Sequence, residues 1–263
     1  MRNRTLWAAL AVLGIAGWTA GSAAAQESNP LGTRIINSSS PFPVGHHRLE
    51  FLVTHRFHES INDGTSHDLW GLDSGADTGL GFTYGVAPRL DLSLYRVSFQ
   101  EDFELAGKFM VLKQEAGTPL TLTVRAGADL PQRPGVADSS RPFVQLLLSR
   151  ELRPGWILVA SPSWVADTPS LENAFNVPLG LTIPLPGDQY VELEYVPANR
   201  DLDASQAAWH VALSKAIGGH LFEIVLGNSR ATTVDQILGG DSAAGFKSGD
   251  VRLGFNLVRL FGY

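Results

Sequence analysis

Thr78-Gly-Leu-Gly-Phe-Thr-Tyr-Gly-Val86 decides how the rest of the chain is read. Leu80, Phe82, Tyr84 and Val86 share one parity. Gly79, Gly81, Thr83 and Gly85 share the other. Side chains alternate across a strand, so this segment has one large apolar face and one face of almost nothing. In a water-soluble sheet the face turned from the core carries charge. Here the small, polar face reads as the inside of a barrel and the apolar face as its outer wall.

The same period of two recurs outward from this stretch. Leu120, Leu122, Val124 and Ala126 alternate with Thr121, Thr123, Arg125 and Gly127. Phe175, Val177, Leu179, Leu181 and Ile183 alternate with Ala174, Asn176, Gly180 and Thr182, and Trp209, Val211 and Leu213 with Ala208, His210, Ala212 and Ser214. A helical stripe is found nowhere. Twelve strands are predicted, at 46–57, 78–86, 89–98, 103–113, 119–128, 141–151, 156–164, 174–183, 189–197, 207–217, 219–228 and 250–263. Most have the roughly 9–11 residues that a tilted strand needs to cross a bilayer. Their connections alternate between long segments and tight Gly- or Pro-bearing turns such as Ala87-Pro88, Leu152-Arg-Pro-Gly155 and Gly218-Gly219. A β-sandwich would share the alternation but has no need of that rhythm. The expected fold is therefore all-β: an antiparallel up-and-down outer-membrane β-barrel of about twelve strands, with short periplasmic turns, longer extracellular loops and both termini periplasmic.

The two ends fit that setting. Arg2 and Arg4, the apolar run Leu6 to Trp18, and Ala23-Ala24-Ala25 predict a cleaved secretory signal peptide over residues 1–25. Residues 26–45 are expected as a periplasmic extension and 46–263 as the barrel. The last strand, Val251 to Tyr263, ends on an aromatic and resembles the signal read by the outer-membrane assembly machinery, although Arg259 interrupts its parity. Cysteine is absent, which excludes disulfides, thiolate metal sites and a Cys nucleophile. Without Arg2 and Arg4, 18 basic residues face 26 acidic ones, an imbalance that argues against nucleic acid as a partner.

His55-Arg56-Phe57, Leu69-Trp70-Gly71-Leu72-Asp73-Ser74-Gly75-Ala76-Asp77, Tyr84-Gly85, Lys108 and Pro119 resemble the pattern of an uncharacterised bacterial family, domain of unknown function 5777. The likeness is strongest over residues 50–125. It implies a membrane β-barrel in an outer membrane, and no activity.

Catalytic motifs are weak. Asp73-Ser74-Gly75 resembles the Asp-Ser/Thr-Gly of aspartic proteases, with Ile237-Leu238-Gly239 as a mimic of the supporting apolar segment. Yet the two lie too far apart in sequence for one small lobe, and a second Asp-Ser/Thr-Gly is missing. A capped loop-to-strand turn is the plainer explanation. A barrel hydrolase would need Ser and His in contact, whereas His210 and Ser214 are about 13 Å apart along one strand. His55, His58 and His67 with Asp68 are placed at the rim near the first long loop, so no metal is assigned, and no cofactor. His210 has inward parity and is expected as a hydrogen-bonded interior histidine. Trp156, Trp164, Trp209, Tyr84, Tyr95, Tyr190, Tyr195 and Tyr263 supply candidates for the aromatic girdles.

The most informative chemistry is the charge assigned to the lumen by parity: Arg48, Glu50, Arg56, Asp91, Glu104, Lys108, Arg125, Glu192, Glu194, Glu223 and Arg252. Both signs are present. Such a set braces the wall by cross-lumen pairs, the favoured reading, or lines a narrow wet channel. The expected role is a non-enzymatic barrel in outer-membrane lipid: a narrow pore, a small-solute or lipid-handling barrel, or a scaffold presenting loops. An enzyme at Asp73 or in the barrel wall is the alternative.

Overall fold

The computed structural model describes residues 32–133, 140–199, 201–202, 205–240, 243–245 and 249–262. Residues 1–31, which include the expected signal peptide, and Tyr263 lie outside them. Twelve strands run in order: β1 Leu49–Phe57, β2 Ala76–Ala87, β3 Leu90–Val97, β4 Asp102–Leu112, β5 Thr121–Pro131 and β6 Arg141–Arg153. There follow β7 in two pieces, Trp156–Ala160 and Ser163–Val165, and β8 in two, Ala174–Asn176 and Leu179–Leu185. The last four are β9 Gln189–Val196, β10 Ala208–Ile217, β11 His220–Gly227 and β12 Arg252–Phe261. Pro162 and Pro178 cause the two breaks, because a proline gives the ladder no N–H.

Each strand pairs antiparallel with the next, and β1 pairs with β12 from Leu49↔Phe261 to Arg56↔Gly254. The sheet is thus closed and has no edge. The tight turns are built as the Gly and Pro signals predict. Gly117, Gly155, Gly187, Gly218 and Gly219 all take positive φ at one end of the barrel.

Burial follows parity. Leu80, Phe82, Tyr84 and Val86 are exposed, as are Leu92, Leu94, Leu105, Phe109, Val144, Leu146, Leu213 and Ile224 on other strands. A continuous apolar exterior of this extent has no place in water and forms the band that meets lipid chains. The residues between them point inward. Tyr95, expected in a girdle, is one of them: it is 2 % exposed and hydrogen-bonded to Thr54 and Thr232. Its ring covers Gly79 and Gly81, which is why β2 carries glycine there.

The interior is filled by two segments of the chain itself. Residues 32–45, expected as a periplasmic extension, lie in the lumen. Ile35 N–H donates to Ser38 O and Ser40 N–H to Thr33 O, which makes a tight hairpin. Ile35 and Ile36 pack on Val159, Ala212 and Val225 of the wall. Gly180 makes the room: a Cβ there would sit 2.5 Å from Ile35 Cδ1. A Cβ at Gly85 would overlap the Gly45 carbonyl. The second filler is the described stretch 229–240 of the β11–β12 connection, which turns inward rather than outward. It forms one short helix, α1 Val234–Gly239, every residue of which is buried. Val234 and Leu238 pack with Leu202, Ala106 and Phe143. Among the described residues no helix is long and apolar enough to cross a membrane.

Candidate functional site

Of the eleven charges assigned to the lumen, Glu50, Arg56, Asp91, Glu104, Lys108, Arg125, Glu192, Glu194 and Glu223 are buried there. Arg48 and Arg252 are half-buried at the two mouths, where the strands end. Arg252 donates to His58 O.

The partners of these groups differ from the expected cross-lumen pairs. Most face the backbone of the two fillers. Glu50 accepts from Thr33 N–H at 2.8 Å and from the Thr33 hydroxyl at 2.5 Å. Glu194 accepts from the N–H groups of Asn37 (3.0 Å) and Ser38 (2.7 Å). Asp91 accepts from Val44 N–H at 3.0 Å. Lys108 donates to Phe42 O at 2.9 Å and pairs with Asp91 at 3.6 Å. Arg56 donates to Asn37 Oδ1 at 2.6 Å. The neutral wall residues Thr123 and Asn256 donate to Pro41 O and Ile36 O. The physical reason is that an irregular segment enclosed in a barrel must satisfy its own peptide groups, and only wall side chains are within reach. Glu192, Glu223 and Arg125 are the exceptions, bonded within the wall, the glutamates through Ser214 and Asn256 and Arg125 to Gln145 and Glu104.

A second cluster gathers near the loop-side mouth. Glu104 pairs with Arg125 (2.5 Å) and Arg34 (3.3 Å) and accepts from Val234 N–H (3.0 Å). Asp129 accepts from Asp235 N–H at 2.9 Å, and Arg141 pairs with Asp235. Asp102, Asp129 and Asp235 each offer one oxygen, all within 4.8 Å of one another. Asp102, Asp129, Arg141, Asp235, Arg34 and Asp77 were not among the sequence candidates. Parity could have found the strand residues Asp77, Asp102, Asp129 and Arg141. Arg34 and Asp235 sit in the fillers, which give no periodic signal.

Cavities between filler and wall are small. One, lined by Thr33, Arg34, Tyr95, Asp91, Lys108 and Arg125 among others, has about 20 Å³, and another beside Glu104 and Gln145 about 10 Å³. A water molecule needs about 10–15 Å³ on this measure, so each has room for about one.

The motifs of catalytic type are not assembled. Asp73 is exposed in a loop, where Ser74 Oγ donates to Gly71 O. Ile237-Leu238-Gly239 is inside α1. The Ser214 hydroxyl bonds to Glu192 at 2.5 Å, while His210 bonds to Glu194 and Ser229 O. The rim histidines are dispersed: His55 stacks on Phe255, His58 contacts Asp77, and His67 is exposed.

A model of the family described as "Membrane bound beta barrel domain (DUF5777)" matches residues 31–261. The chain belongs to this family. The match takes in this DUF5777 protein's lumen hairpin as well as its wall. No curated protein matches it in sequence. Among solved structures it is similar to the NanC porin, with 10% identity, a TM-score of 0.52, and 82% of this chain and 100% of that chain covered. It is also similar to the COG4313 outer membrane channel from Pseudomonas putida F1, with 14% identity, a TM-score of 0.50, and coverage of 82% and 96%. Outer membrane phospholipase A from Escherichia coli aligns at 13% identity and a TM-score of 0.49, covering 89% and 94%. At such identities the likeness is one of fold: the DUF5777 protein is a barrel of the outer-membrane type.

Proposed function

We propose that the protein is a non-enzymatic, gated outer-membrane pore for small polar solutes, drawn in its closed state. The observation that carries this reading is the direction of the lumen charges. Glu50, Asp91, Lys108 and Glu194 each hold peptide groups of residues 32–45, Asp91 and Lys108 also pairing with each other at 3.6 Å. Every one of those bonds has a water-filled equivalent, so hairpin release exchanges protein partners for solvent at modest net cost. The wall left behind would be a polar, two-signed lining suited to hydrated solutes. A wall braced for scaffolding alone would bond only to itself, as Glu192, Ser214 and Glu223 do. The resemblance of the fold to a porin and a channel agrees with the proposal.

The setting follows from the sequence. Residues 1–25 direct export, the assembly machinery takes the C-terminal strand, and the tight turns and both termini face the periplasm. Residues 32–45 then enter the lumen from the periplasmic side.

Planar-bilayer recording of the refolded protein tests the proposal. The wild type is expected to open rarely. Glu50→Ala with Glu194→Ala is expected to raise the open fraction, and Lys108→Ala to shift cation–anion preference toward cations. Silence in all of these, with folded barrels confirmed by heat-modifiable mobility, would leave the scaffold reading in possession.

A further inference from the structure

Buried carboxylates outnumber their paired cations most densely at one place near the loop-side mouth. Asp102, Asp129 and Asp235 are all 0 % exposed, and their oxygens converge within 4.8 Å. The cation paired with them is Arg141, through Asp235. Arg34 and Arg125 are taken by Glu104. Three carboxylates against one guanidinium leave two negative charges uncompensated in a buried place. Like charges so close do not share a pocket without a counter-ion or a proton.

A second observation points the same way. Asp102 Oδ1 and Asp129 Oδ1 are buried and have no hydrogen-bond partner, and neither has Oε1 of Gln236, the residue after Asp235. Gln236 is 1 % exposed, and its amide already reaches Asp102 Oδ2 at 3.5 Å and Phe99 O at 3.3 Å. Arg141 Nε and Nη2 are likewise buried without a partner, so the one guanidinium of the cluster is engaged through Nη1 alone and leaves these oxygens without a donor. Buried acceptors without donors are costly. A set made only of carboxylate and amide oxygens suits a hard divalent cation rather than a soft metal.

We propose that Asp102, Asp129 and Asp235, with the side-chain amide of Gln236, form a divalent-cation site, best suited to Ca2+. The ligands come from three places: β4, β5 and the inward-folded β11–β12 connection. The ion therefore pins α1 to the wall. Ca2+ completes its 6–8 oxygens with water and neighbouring carbonyls, at ligand distances of about 2.3–2.6 Å. Its double charge balances the two uncompensated carboxylates. Removal of the ion would free α1 and leave the hairpin of residues 32–45 with its own wall contacts. The site does not require that the barrel conducts.

The test is calorimetric titration of Ca2+ into the full refolded barrel after chelator treatment, in a zwitterionic detergent. The wild type is expected to take one Ca2+ per chain. Asp102→Asn with Asp129→Asn should bind at least tenfold more weakly, and Asp73→Asn, on the exposed loop, should match the wild type. Calcium should also raise the temperature of the heat-modifiable transition in the wild type. That last arm needs no variant and stands even where the double substitution fails to fold. Absence of Ca2+, Mg2+ or Mn2+ binding together with an unshifted transition would overturn the proposal and assign the pocket a shared proton. Binding unchanged in the double variant would overturn it as well. Because neither readout measures current, a silent barrel that binds Ca2+ refutes the pore alone.

Discussion

Glu194→Ala is the sharpest perturbation of the lumen hairpin. In the wild type this carboxylate accepts from two backbone N–H groups, of Asn37 and Ser38, and from the Asn37 side-chain amide at 3.2 Å. On its other side it contacts His210 Nδ1 at 3.2 Å. Alanine leaves both N–H groups buried with no acceptor, at about 1–3 kcal/mol each. The docked hairpin thus loses about 2–6 kcal/mol, the lower figure applying if water enters the space. At 1.4 kcal/mol per factor of ten, about 2 kcal/mol is a roughly 30-fold rise in the undocked fraction. Amide hydrogen exchange reads this directly, since local opening sets protection. Protection over residues 33–44 should fall about 30-fold, while β9 and β10 keep theirs. Glu192→Ala is the control, because that carboxylate bonds Ser214 of the wall and not the hairpin. Equal protection in wild type and Glu194→Ala would refute the reasoning, and so would equal loss across wall and hairpin.

Other substitutions separate wall, filler and loop. Leu213 is half-exposed in the middle of β10, so Leu213→Arg should cost about 2–4 kcal/mol in folding titrations in lipid; a neutral result would contradict a lipid-facing wall. Gly85→Ala places a Cβ against the Gly45 carbonyl and should cost about 1–3 kcal/mol, read as a lower unfolding midpoint. Asp73 is exposed, so Asp73→Ala should stay within about 0.5 kcal/mol of wild type and leave any proteolytic activity of the sample unchanged; loss of such activity would revive the protease reading.

The wall was legible because its physics is local. Alternation of Leu80, Phe82, Tyr84 and Val86 with glycine and threonine needs no knowledge of the partner strand, and closure follows from the count and length of such segments. Strand ends moved by a few residues, as at β1, which starts at Leu49 rather than 46. The prolines at 162 and 178 interrupt strands that alternation alone makes continuous. The fillers were not legible. Ser38-Ser39-Ser40-Pro41 has no period, and its burial depends on Glu194, Lys108 and Thr123, residues distant in sequence. The six residues of α1 are too few to show a helical stripe. The parity of the charged residues carried their direction but not their partners. Pairing across an empty lumen and pairing to a filler give the same strand pattern, so Glu50 and Glu194 were located without their task being known.

The central claim is that residues 32–45 close the lumen. Since the chain contains no cysteine, a single Ser39→Cys gives one thiol to follow. Ser39 is 8 % exposed inside the hairpin. The account predicts that a membrane-impermeant maleimide leaves this thiol largely unreacted in the folded barrel and labels it fully after denaturation, with Asp73→Cys labelled at once. Adding Glu194→Ala should speed the folded-state reaction. Labelling of Ser39→Cys as fast as Asp73→Cys in the folded protein would contradict the account.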